Sequence, residues 1–189
     1  MKAKTSKAAL LVMISISFVL LASLGAAVHA ATRAGDKYII DENLFPDPAF
    51  RQYVLDTIDE NGSGALEDFE REKVTAIDLS NGYNGSKISD LTGIKYFTSI
   101  TYLDVSNNTL TELNLSGLSE LTNIKCYRNQ LLSLDVTDCI NLTELLCYEN
   151  ALTSIDVSKS TKLVTLWIYK NQLTELDLSS NNYIVTTIK

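Results

Sequence analysis

The chain has 189 residues but only one histidine, two prolines, eight glycines and three cysteines. Its one histidine is His29, close to the N-terminus. Histidine is the usual general base, the imidazole of hydrolytic triads and the usual zinc ligand, so this scarcity removes most of that chemistry. So few glycines and prolines exclude a collagen-like rod, and 46% hydrophobic residues exclude a disordered tail. A multi-pass membrane protein is excluded as well, because only one long apolar run is present. Sixteen Lys and Arg against 23 Asp and Glu give a net charge of −7, which argues against nucleic acid as a partner. Three cysteines leave at least one thiol unpaired, which fits free structural thiols better than a disulfide framework.

What is present begins with an address. Lys2, Lys4 and Lys7 precede a mostly apolar run from Ala8 to Leu24, and Val28-His29-Ala30 places small residues at −3 and −1 of a cleavage point. This pattern predicts a secretory signal peptide over residues 1–30 and a secreted or cell-surface protein. Cleavage would remove three Lys and no acid, leaving 13 basic against 23 acidic residues, a net charge of −10 and no histidine.

Internal repetition sets the fold expectation. Ile100-Leu103-Val105-Asn108 returns as Leu121-Ile124-Cys126-Asn129, Leu142-Leu145-Cys147-Asn150 and Leu163-Leu166-Ile168-Asn171, each 21 residues after the last. A second apolar set follows ten residues later in each unit, beginning at Leu110, Leu131, Leu152 and Leu173. The final apolar positions lie two apart, the period of a strand with one buried face. The expected fold is an α/β solenoid: a right-handed coil with short parallel strands and a small helical N-terminal cap. Its domains are the cap at 31–73 and the repeats at 74–189, the last coil incomplete at the C-terminus. The four asparagines are expected to turn the chain inside each bend. Cys126 and Cys147 fall in a buried apolar column.

The run from Leu142 to Asn150 resembles the leucine-rich repeat consensus, and Asn171 to Ser179 resembles short repeats of bacterial secreted and surface proteins akin to internalins. The resemblance implies a solenoid and says little about a ligand.

One motif outside the repeats carries explicit chemistry. Residues 59–70 (DENGSGALEDFE) match a twelve-residue EF-hand loop. Oxygen donors are expected from Asp59, Asn61, Ser63, the Ala65 carbonyl, Glu67 and a bidentate Glu70. Gly64 permits the sharp turn. Ser63 stands where Asp or Asn is usual and no second hand is evident, so the expected ion is calcium held weakly, with Kd of about 10⁻⁴ to 10⁻³ M. The alternative is a loop that merely joins two cap helices.

Outward strand positions suggest a contact surface. Tyr127, Tyr148 and Tyr169 form a ladder, with Lys125, Leu146 and Trp167 on the neighbouring track, and exposed rigid aromatics favour binding. Arg128, Glu149 and Lys170 beside them alternate in sign, so the sequence implies no ligand of a single charge. Asp135, Asp156 and Asp177 repeat at coil spacing and read as a solvated ladder at the turns. The expected function is therefore a non-catalytic, monomeric module that binds a protein or glycan through the concave strand face. A structural or adhesive spacer within a larger surface protein is the alternative.

Overall fold

The computed structural model describes residues 38–188. The predicted signal peptide lies outside the described residues. Two short helices come first, α1 (Pro48–Thr57) and α2 (Asp68–Arg71). Strands β1 (Ala76–Asp78), β2 (Tyr102–Asp104), β3 (Glu112–Asn114), β4 (Asn123–Lys125), β5 (Ser133–Asp135), β6 (Glu144–Leu146), β7 (Thr165–Trp167) and β8 (Thr186–Ile188) follow, with one turn of 3-10 helix at Ile94–Tyr96. Strands β1, β2, β4, β6, β7 and β8 form a parallel six-stranded sheet, and β3 pairs with β5 in a second. From β2 onward the register advances by 21 residues per coil, with Leu103 opposite Ile124, then Leu145, Leu166 and Thr187.

In the strands before β8 the central side chain of each three-residue strand enters the core. Ile77, Leu103, Ile124, Leu145 and Leu166 are fully buried while their strand neighbours are mostly half-exposed. Each such burial contributes roughly 1.5–3 kcal/mol. Leu110, Leu131 and Leu152 fill the core from the opposite wall. There the strand ladder forms only between β3 and β5; residues 154–156 keep Ile155 against the core without pairing as a strand.

The asparagine column does more than turn the chain. Asn150 donates from Nδ2 to the Cys147 carbonyl of its own coil and to the Cys126 carbonyl of the preceding one, both at 3.0 Å. Its Oδ1 accepts the Leu131 N–H at 3.0 Å. Asn129 and Asn171 repeat this arrangement with Val105 and Cys126, and with Cys147 and Ile168. Asn108 does the same toward Leu79, Val105 and the Ile88 N–H. Each side chain thus fastens one coil to the next.

The cap joins the repeats through a buried carboxylate. Asp47 caps α1 by accepting the Ala49 and Phe50 N–H groups on Oδ1, and its Oδ2 accepts the Ser89 N–H at 2.7 Å and the Ser89 hydroxyl at 2.9 Å. Phe45, Phe50 and Phe97 pack at the junction, all without exposure. The hydrophobic core runs without a break from Ile40 to Ile168.

Candidate functional site

Two places bear on function, the loop of the cap and the outer face of the six-stranded sheet. In the loop, Asp59 follows α1 directly and Glu70 lies within α2, so the two helices bring opposite ends of the motif together. Oxygens of Asp59, Glu67 and Glu70 lie within 4.8 Å of one another, and Asp59 and Glu70 are buried. Asp59 accepts the Ser63 N–H at 2.9 Å and the Gly64 N–H at 2.8 Å, which curls the loop over the cluster. Gly64 has φ +75°, a left-handed conformation that suits glycine at this turn.

The remaining predicted donors meet the same cluster. Asn61 Nδ2 donates to Glu67 at 3.2 Å and Asn61 Oδ1 accepts the Ser63 N–H at 2.9 Å. Ser63 Oγ donates to the Ala65 carbonyl at 3.1 Å. Glu70 accepts the Glu60 N–H at 2.9 Å and the Glu67 N–H at 3.1 Å. Burial, foremost, raises the Glu70 pKa, and the nearby Glu67 and Asp59 carboxylates push it the same way, although the Glu67 N–H opposes them. A set made only of oxygen donors, three of them carboxylates, suits a hard divalent cation.

A further element, not visible in the motif, supports the loop. Residues 38–40 run antiparallel to it: Ile40 N–H donates to the Gly64 carbonyl at 2.9 Å and Leu66 N–H to the Tyr38 carbonyl at 2.7 Å. Arg71 covers the Tyr38 ring at 5.5 Å, and Tyr38 lies against Tyr96 at 4.7 Å, which ties this segment to the first coil.

On the sheet, the register places Lys125, Leu146 and Trp167 in one column across β4, β6 and β7. Tyr127, Tyr148 and Tyr169 form the adjacent column, two residues further along each coil. Their rings stack nearly parallel, at 4.6 Å and 4° for Tyr127 with Tyr148 and at 4.5 Å and 9° for Tyr148 with Tyr169. The backbone imposes this: Arg128 N–H bonds to the Tyr148 carbonyl and Glu149 N–H to the Tyr169 carbonyl, both at 3.0 Å. Parallel strands about 4.8 Å apart then leave one ring thickness between neighbours. Burial first, then the adjacent phenols Tyr127 and Tyr169, raise the Tyr148 pKa, against the pull of Arg128. Trp167 leans on Tyr148 at 6.1 Å, and its buried indole N–H has no acceptor among the described residues.

Lys125 turns away from this stack. Its Nζ sits 5.1 Å over the Tyr102 ring and 3.3 Å from the Tyr102 hydroxyl, a pairing that raises the lysine pKa. The pairing within the third column, Arg128, Glu149 and Lys170, comes into view only in three dimensions. Arg128 Nε donates to Glu149 Oε2 at 2.8 Å and Lys170 Nζ to Glu149 Oε1 at 2.7 Å. All three residues adopt left-handed backbone, with φ of 54°, 56° and 55°. Asn107 holds the same conformation in the preceding coil at φ 55°, and asparagine tolerates it far better. That Asn-to-charged change at one coil position was the available signal in the sequence.

The repeating aspartates prove structural. Asp135, Asp156 and Asp177 accept the N–H two residues on, from Thr137, Ser158 and Ser179 at 3.0, 2.9 and 2.8 Å. Hydrogen bonds from these residues lower the three pKa values, the Ser158 hydroxyl foremost for Asp156 and the Thr137 and Ser179 N–H groups foremost for Asp135 and Asp177.

No family model matches the chain, and no curated protein matches it. Among solved structures it is similar to the functional domain of InlJ from Listeria monocytogenes, a domain that includes a cysteine ladder, with 34% identity and a TM-score of 0.68. That match covers 76% of this chain and 31% of the other. The internalin InlF of the same organism matches in fold at 20% identity and a TM-score of 0.61, over 82% of this chain and 53% of that one. The chain thus spans about a third to a half of these relatives. With coils of 21 residues, a parallel sheet with one strand per coil and this likeness, the chain is built as a β-solenoid with an internalin-like leucine-rich repeat fold.

Proposed function

We propose that the chain is an exported bacterial surface or secreted module, non-catalytic, that binds a protein or glycan through the outer face of its six-stranded sheet. The observation that carries this reading is the stack of Tyr127, Tyr148 and Tyr169 beside Leu146 and Trp167. The three phenol hydroxyls make no hydrogen bond among the described residues, while the carbonyls of the same tyrosines accept the Asn107, Arg128 and Glu149 N–H groups of the preceding coils. A rigid array of large amphipathic side chains is well suited to contact, because little conformational entropy is lost on binding. Among the described residues no helix is long and apolar enough to cross a membrane. Alanine at Tyr127, Tyr148 and Trp167 together tests the assignment. Retention on a panel of immobilised extracellular proteins, glycans and cell surfaces is expected to fall at least about tenfold with the fold intact. Undiminished retention would favour the spacer reading.

The cap, residues 31–73, is proposed to hold calcium through Asp59, Asn61, Ser63, the Ala65 carbonyl, Glu67 and Glu70. When bound, the ion supplies positive charge that offsets three converging carboxylates. The residues' own contribution is to curl the loop and present oxygens at close range before any ion arrives. Calcium at about ten times Kd is expected to stabilise the fold by about 1.4 kcal/mol. A thermal-shift titration to several millimolar checks this, and Glu70→Gln is expected to abolish the shift. No rise in Tm for the unaltered chain would refute the site.

A further inference from the structure

If the ridge is a contact surface, as proposed, its ring geometry bears on whether the partner is a protein or a glycan; the inference rests on that proposal. Tyr148 has a neighbouring ring on each face, at 4.6 and 4.5 Å, so neither face is free to stack on a sugar. Aromatic faces are electron-rich and rims electron-poor. The ridge therefore shows solvent a row of positive rims and unpartnered phenol hydroxyls.

The neighbouring column points the same way. Both carboxylate oxygens of Glu149 are engaged, one by Arg128 and one by Lys170, and that side chain is 26% exposed against 56% and 68% for the two cations. Two projecting cations around one shielded anion leave a local positive excess on a chain whose net charge is −7. The alternation of sign read from the sequence thus resolves into an outward cationic rim. All three residues hold left-handed backbone where Asn107 stands one coil earlier, so charged side chains occupy positions better suited to asparagine beside each stacked tyrosine. Two hollows lie along β3 and β5 of the other sheet, and a third meets the ridge only at its end, beside Tyr169 and Lys170, so the length of the stack offers an open surface suited to a macromolecule.

We infer that the tyrosine ridge binds an acidic segment of a protein, whose carbonyl and carboxylate oxygens meet the ring rims, the phenol hydroxyls and the Arg128 and Lys170 cations. The test pans a displayed random peptide library on the full chain and probes an array of neutral oligosaccharides in parallel. The selected peptides are expected to be rich in Asp and Glu. Their binding should weaken at least about tenfold in the Arg128→Ala/Lys170→Ala variant and fall as salt rises from about 50 to about 500 mM. Peptides without acidic bias, or indifferent to that variant, would overturn the inference while leaving the contact surface standing. So would oligosaccharide binding that Tyr148→Ala abolishes. If neither probe binds in a way that depends on Tyr148, the contact surface itself fails and the inference with it. Protection of the buried thiols from alkylation verifies that each variant is folded.

Discussion

Asn150 illustrates what one side chain does in this fold. It bonds two carbonyls and one N–H across two coils; the Cys126 and Cys147 carbonyls each also accept from a neighbouring asparagine, whereas the Leu131 N–H depends on Asn150. Asn150→Ala is expected to destabilise the chain by about 1–3 kcal/mol, measured by urea unfolding, because the Leu131 N–H loses its partner and two carbonyls each lose one of two donors. The repeat period and the asparagine's place in the bend were legible in the sequence. Its second bond, to the preceding coil, was not, since spacing along a chain does not say which neighbouring carbonyl lies within reach. The cysteines show the reverse case. The apolar column foretold burial for Cys126 and Cys147; Cys139, which lies in a turn, is buried as well, and all three are free. Burial pushes the Cys139 and Cys147 thiols up to about 12 and the Cys126 thiol well above its ordinary value. The native chain is therefore expected to resist alkylation at pH 8, with all three thiols reacting once urea unfolds it. Rapid labelling of the folded protein would contradict the packing described.

At the scale of elements, the cap is fastened by Asp47. Burial works against its charge, but bonds from Ser89 and Phe50 prevail and hold its pKa below the ordinary carboxylate value. A depressed folded pKa stabilises the fold above the unfolded value, and that contribution is lost as pH falls through the folded one. Asp47→Ala is expected to cost about 2–4 kcal/mol at pH 7, a difference that shrinks on acidification below about pH 4. Urea titrations at both pH values check it; a gap that stays constant would contradict the assignment. The helical character of the cap was legible, and of the loop residues Asp59, Glu67 and Glu70 bring their carboxylates together. The pairing of residues 38–40 with the loop was not legible, because Tyr38 and Ile40 meet Leu66 and Gly64 only through the folded cap. The second wall shows a similar limit, since equal apolar patterns yield a strand pair in two coils and unpaired extended chain in the next.

For the whole molecule, in-register stacking converts a one-dimensional repeat into columns: aliphatic inside, asparagine in the bends, tyrosine and charge outside. The tyrosine column was readable as a ladder, yet its consequence was not. Strand spacing presses the rings face to face, and this covers both faces of Tyr148. The charged column was readable only as alternating sign, whereas geometry places Glu149 between two cations. That this ridge is the contact surface is tested most directly by nitration of surface tyrosines, with the sites mapped by mass spectrometry, on the chain free and bound to whichever panel surface retains it. Tyr183, which is 67% exposed and outside the stack, serves as the internal reference. Protection of Tyr127, Tyr148 and Tyr169 with Tyr183 still labelled is the predicted result. Protection of Tyr183 with the three ridge tyrosines unchanged would contradict it.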